Sequence, residues 1–180
     1  MDLQVETLRA NAPLWWIDHT EPPGDPHSGE PGGSWERGDG SAQKLLAAFP
    51  SLAIPRLERI LGGDLDFLPV HSLRHAKALL QSNAASFSLI ACGLHFDESR
   101  MFDLLRYARE SFPRIPFVCC RVLDTRVSRV FIEATALSAT NLGAVTFFDL
   151  PARADAIGIE AAEQELRAVL LGAAHRGPGQ

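Results

Sequence analysis

Lysine is almost missing from this chain: Lys44 and Lys77 are the only two in 180 residues. With a formal net charge of −5, there is no clustered cationic face of the kind that neutralises a nucleic-acid backbone, which argues against nucleic acid as a partner. Long apolar runs are missing too. None approaches the roughly 20 residues a membrane-spanning helix needs. The opening MDLQVETLRANAP is acidic and amphipathic where a secretory signal is cationic and then apolar. A soluble cytoplasmic protein without membrane contact is the expectation. Cysteine is scarce: Cys92, Cys119 and Cys120 leave an odd thiol and follow no paired framework. Each lies in an apolar stretch, where a free thiol behaves as a small hydrophobe. Nothing resembles a phosphate-cradling glycine loop, a Ser/His/Asp set or a nucleophile elbow, so neither an enzyme nor a catalytic residue is expected.

What is present suits one full-sized globular domain, with 46% hydrophobic residues. Residues 13–20, PLWWIDHT, form a short apolar run closed by polar residues, which reads as a buried first strand with Trp15 and Trp16 straddling it. Residues 21–40, EPPGDPHSGEPGGSWERGDG, are dominated by Gly, Pro and charge and read as a flexible insertion. Ser41 then begins a helical stretch with Leu45, Leu46 and Phe49 on one face, interrupted by Pro50 and Pro55. Leu57, Ile60 and Leu61 mark a second helical piece that ends at Gly62 and Gly63.

Beyond Gly63 the alternation is regular. Strands are expected at 67–70, 88–94, 116–122 and 144–148. Helices are expected at about 73–81, from Met101 to Phe112, at about 125–142 and at about 159–171. Five strands alternating with helices predict a doubly wound α/β fold, because parallel neighbours need a crossover connection. Functional sites in such folds lie at the carboxyl ends of the strands.

Those strand ends carry a specific resemblance. SLIACGL at 88–94, GAVTFFDLP at 143–151 and the DHT after the first expected strand together resemble the receiver domains of response regulators. The resemblance implies a flavodoxin-like five-stranded parallel sheet of order 2-1-3-4-5. It implies a single receiver-like domain over residues 1–171, with the insertion at about 21–40 and a loose tail at 172–180. In that family an acidic pair after the first strand holds magnesium. An aspartate after the third accepts the phosphoryl group, a Ser or Thr ends the fourth, and a lysine after the fifth contacts the phosphoryl.

This sequence departs from that pattern throughout. Gly93 stands where the nucleophile belongs, Arg121 where the hydroxyl belongs and Leu150 where the lysine belongs. Asp18 alone survives from the acidic pair, with His19 beside it, and a lone carboxylate is a poor magnesium site. These residues are therefore expected to form a vestigial phosphorylation site that needs no cofactor. An Asp18–Arg121 pair across the strand ends would replace cation and phosphoryl by a fixed internal charge pair.

Other pairs carry less. His71 ends a strand and Ser72 caps a helix, so His71 and His75 need not share a face and no metal site is expected. Cys92 and His95 lack a third group that would make them a nucleophile and base.

The resemblance implies a signalling module that works through protein–protein interaction rather than phosphorylation. It would bind a protein partner or itself through the fourth helix, fifth strand and fifth helix. Candidate interface residues are Arg126, Arg129 and Phe131, together with Trp35, which is either an incidental exposed aromatic or a docking anchor. The alternative is a redox or small-molecule sensor of the same fold that uses Cys92, Cys119 and Cys120.

Overall fold

Alternation of strand side chains divides the core into two layers, one on each face of a five-stranded parallel sheet. The computed structural model describes residues 44–176. Strands β1 (Lys44–Ala48), β2 (Asp66–Val70), β3 (Phe87–Gly93), β4 (Phe117–Arg121) and β5 (Thr146–Asp149) lie in the order β2-β1-β3-β4-β5. All four ladders are parallel. Helices α1 (Ile54–Leu61), α2 (Leu73–Asn83), α3 (Met101–Ser111) and α4 (Arg129–Asn141) form the crossovers, and α5 (Leu150–Ile157) and α6 (Ile159–His175) follow β5. Fold class and strand order are those expected from the sequence.

The first strand is a correction. The first strand of the sheet, an interior one between β2 and β3, is KLLAA at 44–48, so the place given to residues 13–20 is already filled, and those residues lie outside the described ones. The expected helix through Leu45, Leu46 and Phe49 is instead β1 and its extension. Both neighbours of β1 are strands, both its faces are covered, and Leu45, Leu46, Ala47 and Ala48 are wholly buried. A strand buried on both sides loses its period-two pattern, and a short apolar run then fits either element.

Leu46, Ala48, Ile90, Cys92, Phe117 and Cys119 face one layer with α2, α3 and the inner side of α4. Leu45, Ala47, Leu89, Ala91, Val118 and Cys120 face the other, packed on α1 and α6. The period of two along each strand produces this division. Local chemistry sets the helix ends. Ser72 and Ser128 cap α2 and α4 by accepting from the backbone N–H groups of His75 and Phe131. Gly62, at φ 57°, closes α1 in the left-handed conformation that glycine adopts without strain.

Three further boundaries differ from expectation. The helix expected from residue 125 begins at Arg129, because the Thr125 carbonyl and hydroxyl are engaged by side chains at the strand ends. The short α5 was not expected, although Asp149 accepts from Ala152 N–H and Pro151 sits in the first turn, a legible helix start. The final helix continues to His175, with Ala173 and Ala174 buried against the sheet layer, so the tail expected at 172–180 is helical in its first four residues.

Candidate functional site at the strand ends

At the carboxyl edge of the sheet, β1 runs into Phe49, whose side chain is only 1% exposed. The Phe49 N–H extends the ladder to the Val70 carbonyl at 3.1 Å. Its carbonyl lies 2.8 Å from His71 Nδ1; a carbonyl can only accept, so that nitrogen carries the proton. These bonds aim the ring at the end of β3. A Cβ on Gly93 would stand 2.7 Å from Phe49 Cδ1 and 3.1 Å from Cε1, closer than packed carbons approach. The glycine is thus the consequence of an aromatic ring lying over the end of β3. Between Phe49, Pro50, Ala53, Gly93, His95, Arg121 and their neighbours remains a cavity of about 10 Å³, room for one water molecule at most.

The charge of the site turns inward. Arg121, the last residue of β4, is 9% exposed. Its Nη1 donates to both Asp149 carboxylate oxygens at 3.1 and 3.2 Å, and its Nη2 donates to the Thr125 carbonyl at 2.8 Å and to Asp124 Oδ1 at 3.4 Å. The Nε–H has no acceptor among the described residues. Arg121 and Asp149 are register partners on β4 and β5, so neighbouring strands bring the pair together at the sheet edge. Across the cavity mouth His95 Nε2 lies 2.7 Å from Thr125 Oγ1. Partial burial, and then the Arg121 guanidinium, lower the pKa of His95 below that of an ordinary histidine.

The structure brings together part of the expected site. Gly93 and Arg121 sit at adjacent strand ends as anticipated. Leu150 opens α5 and is fully buried in the layer with α6, where a lysine ammonium would have no water. Asp18, His19 and Trp35 lie outside the described residues. The position after the first strand belongs to Phe49 and Pro50, not to Asp18 and His19, so the acidic position assigned there is corrected. Arg121 takes its carboxylate partner from Asp149 where Asp18 was expected.

Two residues of the strand-end site were overlooked. Phe49 was hidden by the helical reading of its segment. Asp149 was legible: a carboxylate ending a strand, two residues before a proline, falls at the edge where polar groups collect.

The cysteines are buried deeper. Cys92 and Cys119 face each other in register on β3 and β4, while Cys120 points to the opposite layer. Burial, and for Cys92 and Cys120 then the neighbouring thiols, push all three upward, Cys119 to about 12. Thiol reactivity needs thiolate and access, and both are withheld here. Among the described residues no group of three or more His, Cys, Asp or Glu side chains is placed to hold a metal ion. No helix among them is long and apolar enough to cross a membrane.

On α4 the pattern reverses. Val130 and Leu137 are 76% and 64% exposed, Phe131 is half exposed, and Val145 before β5 is exposed as well. Arg126 is exposed in the preceding loop, and Arg129 pairs with Glu133 at 2.7 Å on the same surface.

No family model and no curated protein matches the sequence. Solved structures do. An orphan response regulator of H. pylori superposes with a TM-score of 0.54 at 15% identity, over 74% of this chain and 98% of that one. The phosphorylated cyanobacterial phytochrome response regulator RcpA gives 0.54 at 16% identity, over 71% of this chain and 90% of that one. A signal receiver domain of a Bacteroides fragilis response regulator gives 0.54 at 14%, over 73% and 97%. Strand order, crossover helices and these superpositions together establish that residues 44–176 have the receiver fold of response regulators.

Proposed function

We propose that this chain is a signalling module of the receiver fold that acts by docking and does not take up a phosphoryl group. The observation that carries the reading is the Phe49 ring lying over Gly93. In a receiver site the phosphoryl acceptor is a carboxylate with cations beside it. Here the acceptor position has no side chain, the space above it is an aromatic ring, and the lysine position is the buried Leu150. Arg121, the guanidinium lining this cavity among the described residues, already has its charge balanced by Asp149. The fold offers docking surfaces without that chemistry, and α4 presents the apolar groups for one. Gly93, Arg121 and Leu150 are on this reading the remains of a phosphorylation site.

The partner is a protein or a second copy of this chain. Val130, Phe131, Leu137 and Val145 supply the apolar centre, and Arg126, Arg129 and Glu133 a charged rim. That arrangement fits an interface core and its border.

Incubating the full chain with acetyl phosphate and magnesium, then measuring intact mass, tests the central claim. No phosphoryl adduct is expected, and beryllofluoride with magnesium is expected to leave the tryptophan fluorescence unchanged. A stoichiometric adduct would overturn the reading and point to another acidic residue as acceptor.

A further inference from the structure

The loop between β4 and α4 has almost no backbone structure of its own. Within residues 122–128 one short bond, Thr125 N–H to the Leu123 carbonyl at 3.0 Å, closes on itself. The other polar ties are made by side chains. Arg56 on α1, itself held by Glu163 at 2.9 Å, donates to the Val122 carbonyl at 3.0 Å. Arg121 donates to the Thr125 carbonyl at 2.8 Å and to Asp124. His95 meets the Thr125 hydroxyl at 2.7 Å. Ser128 then caps α4, and the next three residues include the exposed Val130 and Phe131.

Arg121 is the branch point of this arrangement. One nitrogen is committed to Asp149, which also caps α5 through Ala152 N–H, and the other reaches over to the loop. A guanidinium can hold two directions at once because its donors form a rigid planar fork. A lysine at the same place is a single point charge and cannot.

We infer that Arg121, held by Asp149, is a positioning residue that keeps residues 122–128 and the first turn of α4 in one arrangement, so that the docking face is presented permanently. This rests on the docking reading above and adds its regulation: an internal charge pair occupies the place of an exchangeable ligand, and the α4 face has no off state. The pair is largely withdrawn from solvent, so salt screens it weakly.

Hydrogen exchange measured by mass spectrometry on the full chain tests this, comparing wild type with Arg121→Lys and Asp149→Asn. In both variants the hydrogen-bonded amides of this segment, those of Thr125, Phe131 and Ile132, are expected to exchange about tenfold faster or more, with β3 and β4 unchanged. Exchange within about twofold of wild type in that segment would overturn the inference. So would an acceleration spread equally through β3 and β4, which marks a merely structural role. Should neither variant fold, His95→Gln removes one tie from a half-buried side chain. It is expected to speed the same segment severalfold, and no change there overturns the inference. The parent reading fails separately, through a phosphoryl adduct on the wild type, whatever the loop does.

Discussion

The carboxyl edge of the sheet and the outer face of α4 lie a few residues apart in sequence and invert each other's chemistry. At the strand ends the charged groups point inward, Arg121 onto Asp149, and an aromatic ring closes the surface over Gly93. On α4 the aliphatic groups point outward, with Val130 and Leu137 mostly exposed. Each would be costly in an isolated domain with no further purpose. A buried ion pair is held against a desolvation penalty that its attraction barely offsets. Contiguous exposed apolar surface is avoided unless something binds there. On the function proposed above, together they describe a domain closed at its strand ends and open for docking on α4.

The sharpest way to break that contrast is to restore a carboxylate at the closed edge. Gly93→Asp drives a Cβ into the Phe49 ring and buries an unpaired charge, and is expected to cost about 3–5 kcal/mol in urea unfolding. Combining it with Phe49→Ala should give a loss smaller than the sum of the two single losses, because the clash is shared. Strict additivity would mean that the ring does not close the edge.

Arg121→Ala comes next, at about 3 kcal/mol, since it leaves Asp149 mostly buried without its counter-charge. Replacing both partners, as Arg121→Met with Asp149→Leu, should recover most of that loss, and unfolding midpoints of the three variants decide it. Recovery with loosened exchange at residues 122–131 would separate the stability of the edge from its positioning of α4.

Acid should weaken the edge in a defined window. The folded-state pKa of His95 lies below the unfolded value, so the unfolded chain binds more protons as pH falls through about 6.5. This histidine's contribution is therefore complete above that pH and is lost below it, toward its lowered folded pKa. His95→Gln should flatten the acid limb of a stability–pH curve.

The thiols give a smaller signal. Cys92, Cys119 and Cys120 should resist a disulfide reagent at neutral pH in the native protein and react once it is unfolded. Rapid native reaction of Cys92 would revive a redox role.

Least of all should stability feel Leu137→Glu, within about 0.5 kcal/mol for a surface site. Sedimentation should nonetheless show any self-association weakened. An unaltered sedimentation profile in a self-associating protein would move the interface off α4.

Much of this was legible in the chain. The period of 3.6 in MFDLLRYARESF and the uninterrupted apolar strands SLIACG and FVCC read directly as their elements. Gly93, Arg121 and Leu150 could be placed at the strand ends, because each follows a strand recognisable from composition alone. The first strand could not. KLLAAF has no alternation, since both its faces are buried, and PLWWI has the same texture. Choosing between them needs the neighbours, which only the folded sheet supplies. That one misassignment carried Asp18 into the site and left Phe49 out of it.

By itself the sequence determined a five-stranded parallel α/β fold, a glycine and a leucine where the third strand ends and the last helix pair begins, and the scarcity of lysine. Those follow from residue identity and from periods of two and 3.6, which are local properties. The tertiary structure alone decided which segment forms the first strand, that Phe49 lies over Gly93, and that Arg121 is paired with Asp149. Such facts depend on register between strands distant in the chain, and register is set by packing across the whole sheet rather than by any single segment.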